Sequence, residues 1–362
     1  MISPPHTPIQ LDDPNRAVDA RVLDTPGAFV WWYVDAVDEH GDGVVLIWSF
    51  GLPFLPDVLA HARSGAPLTP RERPALNVVG YEKGEEAFYL LQTYADATWH
   101  GDTFTFGDSH IVVRRDAGAH HVRATIDCPI YRSTHRLRGT IDLVGPAAHT
   151  AHADTTPHPH RWTPLTGPAH LRAELEHGAH RFQFEGAGYH DRNVGTQPLD
   201  TLGIERWTWG RTVAERTSIH YVLWGEEDTP TIAWLVDVDE GGAVTLLPAA
   251  AHQEPNGAPR RLYGMPHPPC TELYTPSGSV VELRERSVVD EGPFYLRTML
   301  ERDGRVGVAE HVVPSRIDRA LHRPLVRMRV HEATRPCSMW HPLFSGPARG
   351  RVRRLFGLEA SA

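Results

Sequence analysis

Apolar and polar positions alternate along much of this chain. In Thr103–Phe106, Phe104 and Phe106 share one face; in Ser218–Leu223, Ile219, Tyr221 and Leu223 do. A period of two matches the pleat of a strand with one buried face. Similar stretches recur at Gly43–Phe50, Phe88–Tyr94, His110–Arg114, Val122–Ile126, His135–Leu143, Arg181–Phe184, Thr231–Val238, Ser279–Glu285 and Phe294–Leu300. Turn-forming segments such as Glu39–Gly43 and Asp237–Gly242 lie between them, as hairpin connections should. Helical spacing is confined to Pro56–Arg63 and Arg316–Arg329, and 31 glycines and 31 prolines interrupt longer helices. The pattern predicts an all-β protein of two packed sandwich or barrel halves with few short helices. The stretch Gly145–Pro168, rich in Pro, His, Thr and Ala, marks the expected boundary. The expected division is an N-terminal extension (1–24), a first β domain (25–155), a second (156–335) and a basic tail (336–362).

Composition narrows the function classes. A chain of 362 residues has room for two domains, and 41% hydrophobic with 22% charged residues is a globular balance. The net charge of −9 weighs against nucleic acid as a partner. The longest apolar runs, Gly43–Phe50 and Val244–Ala251, are too short to cross a bilayer as helices. Met1–Asp13 is polar and proline-rich, without the apolar core of a signal peptide, so a cytoplasmic location is expected. Cys128, Cys270 and Cys337 are widely spaced and odd in number, which argues against a disulfide framework or a cysteine zinc site. Two features are unusual: 23 histidines, and a cation set that is all arginine apart from Lys83. Abundant Ala, Pro and Gly beside them fit a GC-rich coding bias. His149, His152, His158 and His160 cluster, but their spacing fits no metal motif, so no metal is expected. Dinucleotide, P-loop, zincin and serine-elbow motifs are missing in any credible context.

Chemistry concentrates in Gly186–Arg211, which is dense in Tyr, His, Asp, Arg, Asn and Trp. Asp191 is the candidate proton carrier. A carboxyl group among Tyr189, Trp207 and Trp209 loses hydration and its pKa rises, which suits a general acid. Arg192 would oppose that shift. Gly186 and Gly188 would permit a bend or a close approach. The structural alternative is that Asp191 and Asn193 cap a turn while the tryptophans fill a core. In His158–Leu165, His160 and Trp162 share a face of an extended segment, offering a titratable ring and a π surface. The aromatic run Phe29–Asp35, with Trp32, and the isolated amide Asn77 are further pocket candidates or ordinary core. Pro347–Leu358 mixes arginines with Leu355 and Phe356 and could touch an anionic membrane or remain a solvated tail.

Taken in order, PALNVVGY (Pro74–Tyr81), HRWTP (His160–Pro164), GAGYHDRNVGTQPL (Gly186–Leu199), RWTWGR (Arg206–Arg211), EGPFYLRT (Glu291–Thr298) and the Ser315–Val330 stretch resemble the acyclic carotenoid 1,2-hydratases, or hydroxyneurosporene synthases. The resemblance runs from about residue 25 to about residue 330. It implies two lipocalin-like β halves and cofactor-independent addition of water to the terminal C=C bond of an acyclic carotenoid. It attaches function to His160, Trp162, Tyr189 and Asp191. Trp207, Trp209, His190, Trp32 and Asn77 are then expected at the substrate. Many such hydratases carry an apolar residue where this chain has His190. A polyene or isoprenoid substrate resides in a membrane, which implies peripheral docking on the inner membrane. An isoprenoid or meroterpenoid cyclase using the same acid, and a non-catalytic isoprenoid carrier, remain open alternatives.

Overall fold

The computed structural model describes residues 8–116, 118–130, 133–150, 158–225, 229–253, 263–265, 268–319 and 329–331. The strands form two sheets, one of 14 and one of nine. The all-β expectation and its two curled halves hold.

In the first sheet Phe29–Val37 lies between Gly43–Phe50 and the long strand His180–Gly195. Ala169–His177, Arg136–Pro146 and Ala119–Pro129 continue outward from His180–Gly195. Pro74–Glu82 and Glu85–Tyr94 continue on the other side. The sheet curls over its own core. Phe106, near one end, meets Phe50 and Tyr94, near the other, at ring distances of 5.7 and 5.8 Å. His160–Pro164 pairs with the end of His180–Gly195, and Gln10–Leu11, from the N-terminal extension, pairs in parallel with it. The chain stays in this sheet past residue 155, leaves it after Gly195 and rejoins it with Arg329–His331.

The second sheet takes the chain from Arg206–Val213 through to Arg305–Val312, which pair side by side at its centre. Its two edge strands, Val244–Pro248 and Ala250–Gln253, are consecutive in the chain. Ala249 N–H donates to Ala233 O at 2.8 Å, so the edges meet and the barrel is nearly closed.

Burial on both sides explains the segments whose polarity does not alternate. Along Phe29–Val37, Val30, Trp32, Val34 and Ala36 enter the core inside the first sheet. Phe29, Trp31 and Tyr33 enter a second core, where the two sheets pack together. The long strand changes character along its length. Phe182 and Phe184 face inward while Arg181, Gln183 and Glu185 are exposed, but every residue from Tyr189 to Gly195 is buried. Of the two roles open to Gly186 and Gly188, a bend or a close approach, the packing supports close approach. A Cβ on Gly188 would lie 2.9 Å from Leu171 Cβ and 3.0 Å from Leu143 Cδ1, so that glycine serves close packing.

Pro56–Arg63 forms the expected helix, with proline at its start. The helix expected over Arg316–Arg329 is not seen at its described ends. Pro314–Arg316 is a short 3-10 turn, and Arg329–His331 is a strand beside Gln92–Tyr94. Residues 320–328 and the tail 336–362 lie outside the described residues.

Candidate active site

Two strands place the side chains around Asp191. Alternation along His180–Gly195 puts Tyr189, Asp191 and Asn193 on the face toward the second sheet. His160–Pro164 runs antiparallel beside it, so Trp162 stands opposite Asn193 and His160 opposite Gly195. Trp162 Nε1–H donates to Asp191 Oδ2 at 2.8 Å, and Tyr189 O–H donates to the same oxygen at 3.1 Å. Asn193 Nδ2 donates to Asp191 Oδ1 at 3.3 Å, and the Asn193 Oδ1 lies 3.1 Å from His160 Nε2. Asp191, His160, Tyr189 and Trp162 are thus one connected cluster, with Asn193 as its bridge. Asn193 does not cap a turn, because the segment is strand.

Burial sets the protonation states. It pushes the Asp191 carboxyl up to about 8, against the two hydrogen bonds to Oδ2, with the charges of Glu310 and Asp35 adding to the rise. Arg192 does not oppose this as expected, since it points to the other face of the strand. Burial lowers His160 to about 3, so its ring is neutral. A neutral His160 with its proton on Nε2 donates to Asn193, which leaves the Asn193 amide aimed at Asp191. The Tyr189 hydroxyl is held well above the usual tyrosine range, by burial and by Asp191, and is a hydrogen-bond donor only.

Aromatic side chains from the second sheet roof the cluster. Tyr221 packs on Trp162 at 5.1 Å, and Trp209 on Tyr189 at 5.6 Å and on Tyr33 at 5.3 Å. Trp207 lies parallel to Trp31, 12° and 6.3 Å apart. Tyr221 Oη, Trp207 Nε1 and Trp209 Nε1 are buried without a hydrogen-bond partner among the described residues. Next to this roof a mainly apolar cavity opens between the sheets. Trp31, Trp207, Leu91 and Phe294 line it, with Asn77 and the carboxylates of Asp290, Glu291 and Glu310 on its polar side. Asn77 is anchored by Nδ2 donating to Leu90 O at 2.7 Å. Asp191 is not in the cavity wall; it lies behind Trp207, Trp209 and Tyr221.

Of the expected substrate residues, the structure brings Trp207 and Asn77 to the cavity and Trp209 to the roof. His190 and Trp32 lie on the opposite face of the first sheet, in its internal core. His190 Nδ1 is 2.7 Å from His120 Nε2 there.

Sequence reasoning did not single out a buried ionic network beneath the cavity. Asp35 receives Arg211 Nε on Oδ1 and Arg297 Nη2 on Oδ2, both at 2.7 Å. Arg297 Nη1 also reaches Glu310 Oε1 at 2.6 Å. Tyr33 and Tyr295 donate to the same Glu310 oxygen. Arg211 and Arg297 belong to the segments RWTWGR and EGPFYLRT, where unpaired arginines beside aromatics were the only available signal.

Among the described residues no group of three or more His, Cys, Asp or Glu could hold a metal ion. His152 lies outside the described residues. No helix of the described residues is long and apolar enough to cross a membrane.

A family model described as carotenoid hydratase CrtC matches residues 56–337. The chain belongs to the carotenoid hydratase CrtC family. That membership makes it an enzyme of the hydro-lyase kind. A hydroxyneurosporene dehydrogenase of Chlorobaculum tepidum is 26% identical over 357 residues, covering 88% of this chain and 91% of the relative. The acyclic carotenoid 1,2-hydratase of Thiocapsa roseopersicina is 30% identical over 55% of this chain and 48% of its own length. That of Rubrivivax gelatinosus is 28% identical over 78% of this chain and 66% of its own. A solved structure of an AttH-like protein from Nitrosomonas europaea superposes with a TM-score of 0.56 at 14% identity, over 84% of this chain and 99% of that one. At that identity the likeness supports the fold alone.

Proposed function

We propose that this chain adds water across the terminal C1=C2 bond of an acyclic carotenoid of the lycopene or neurosporene type, with Asp191 as the acid and no cofactor. The observation that carries the reading is a buried carboxyl group held by Trp162 and Tyr189, packed under the aromatic side chains that separate it from a mainly apolar cavity. Adding water to an alkene forms one C–H and one C–O bond with no net oxidation or reduction, so no electron carrier is needed.

The end of the polyene passes the Trp207 side chain to reach the cluster. Asp191 gives its proton to C2, and the positive charge forms at C1, where it is tertiary. The π faces of Trp162, Trp207 and Tyr221 surround that charge. As Asp191 ionises, the donors Trp162 and Tyr189 on Oδ2 stabilise the carboxylate, an interaction stronger with the anion than with the acid. A water held by the free Tyr221 hydroxyl and Trp209 indole N–H attacks C1. Its surplus proton returns to Asp191, and the carbinol leaves. His160, neutral and bonded to Asn193, orients the cluster rather than taking the proton. Trp209 and Asn77 shape the channel for a chain that offers no polar handle. Such a substrate partitions into lipid, so the enzyme works docked at the inner-membrane surface on its cytoplasmic side.

Expression in a lycopene-accumulating host, followed by mass spectrometry of the pigments, tests the reading. A pigment heavier by one water is expected. An isomer of unchanged mass would indicate a cyclase, loss of two hydrogens a dehydrogenase, and unchanged lycopene with bound pigment a carrier.

A further inference from the structure

The face of the first sheet that holds His190 and Trp32 bounds a second cavity, separate from the Asp191 cluster. It is a cleft with roughly 1220 Å³ of unfilled space, open solvent included. Its apolar side is Trp32, Trp99 and Phe104, packed on one another at 4.6 to 5.4 Å. Its polar side carries four arginines and a single carboxylate, Asp102.

Arg192 is the informative member. It is 7% exposed and lines the cleft, directly across the strand pair from Trp32. Among the described residues its hydrogen bonding is a long contact of 3.5 Å to Thr163 Oγ1, and its Nε has no partner there. Among the described residues no carboxylate lies within ion-pair reach of it. Asp12, the acid that acts on it most, is taken by Arg16 at 3.2 Å and Arg161 at 3.8 Å. Elsewhere in this molecule fully buried arginines are matched: Arg211 and Arg297 share Asp35. A buried guanidinium without an anion is unfavourable, and the structure keeps one at the floor of an open cleft. Burial lowers Arg192 to about 10, which still leaves it charged at neutral pH.

His120 stands beside it. Its Nε2 is engaged by His190 Nδ1, while its own Nδ1 is buried without a partner. With His190 donating across the pair, His120 Nδ1–H is an unused donor in the same cleft. Arg115 crosses the rim, holding the backbone carbonyls of Pro14 and Ala148.

We infer that this cleft binds an anionic amphiphile, its carboxylate or phosphate held by Arg192 and His120 and its apolar body laid on Trp32 and Trp99. A planar guanidinium suits either head group, since both offer two oxygens to its paired N–H groups. The site is on the far face of the strand from Asp191 and stands whether or not the hydratase reading does.

Titration of the full chain with decanoate, decyl phosphate and decanol, all below micelle formation, tests this by tryptophan fluorescence and calorimetry. At least one anion should bind tenfold or more tighter than decanol, and the stronger of the two identifies the head group. Raising the salt concentration should weaken the anion and leave decanol unchanged. Arg192→Gln should weaken the anion at least tenfold, and Trp99→Leu should weaken all three ligands. The wild-type comparison is decisive even if Arg192→Gln fails to fold. Equal binding of decanol and both anions, or no saturable binding of any, would overturn the inference. So would unchanged anion affinity in a folded Arg192→Gln.

Discussion

At Asp191 the charged carboxylate loses hydration that the hydrogen bonds from Trp162, Tyr189 and Asn193 do not restore, so burial favours the neutral acid. Two predictions follow at this residue. Hydration should be insensitive to pH through neutrality and fall about tenfold per pH unit above about 8, as the acid loses its proton. Stability should show the same group. The unfolded chain releases this proton near pH ~3.9 and the folded chain near 8, so between those values the folded state binds more protons. Asp191 therefore contributes its full stability below about pH 4 and loses it as pH rises toward 8. Calorimetry of Asp191→Asn against wild type should show the variant gaining in relative melting temperature from pH 5 to pH 8. A constant difference would mean that Asp191 is ionised when folded. Asp191, His160, Trp162 and Tyr189 could be singled out from residue type and motif order, and the structure brings them together. The role of Asn193 was not, because Asp and Asn two apart read equally well as turn caps. Only the strand register puts them on one face.

Among the elements, the long strand His180–Gly195 does most to organise the site. Its first half was legible, since Phe182 and Phe184 alternate with charged residues. Its second half, Tyr-His-Asp-Arg-Asn, reads as a loop because polar residues normally face solvent. Here both faces are covered: Tyr189, Asp191 and Asn193 by the second sheet, His190 and Arg192 by the first sheet's interior. The same double burial splits Trp32 from Trp31 and Tyr33. Asp35 ties the two sheets across their apolar contact as the shared partner of Arg211 and Arg297. Asp35→Ala would leave Arg211 buried without its carboxylate and Arg297 with Glu310 alone. Breaking buried pairs of this kind costs about 3–5 kcal/mol. Urea denaturation should register a loss of that order. A loss below about 1 kcal/mol would show that the arginines find other partners or water.

Across the whole molecule, strand density and hairpin turns made the two-part β architecture legible. The point where the chain passes from one sheet to the next was not. The Pro- and His-rich stretch near residue 155 looks like a linker, yet two long strands beyond it return to the first sheet. The histidine surplus has a global consequence. His120, His160, His190 and His220 are all buried, and burial holds each below its ordinary value, His120, His160 and His220 to about 3. Folded, they stay neutral at pH values where the unfolded chain, titrating near ~6.5, takes up protons. Their contribution is intact above about pH 6.5 and declines as pH falls below it. Denaturant midpoints should therefore drop between pH 7 and pH 5, before most carboxylates titrate. A flat midpoint over that range would mean that these histidines are solvated or charged in the fold.

The account rests most directly on Asp191 as the proton donor, and turnover of lycopene by purified Asp191→Asn measures that role. A general acid contributes about 10²- to 10⁴-fold, so the variant should lose at least a hundredfold in hydration rate while keeping the wild-type circular dichroism spectrum and a cooperative melt. A folded Asp191→Asn that hydrates lycopene at the wild-type rate would contradict it.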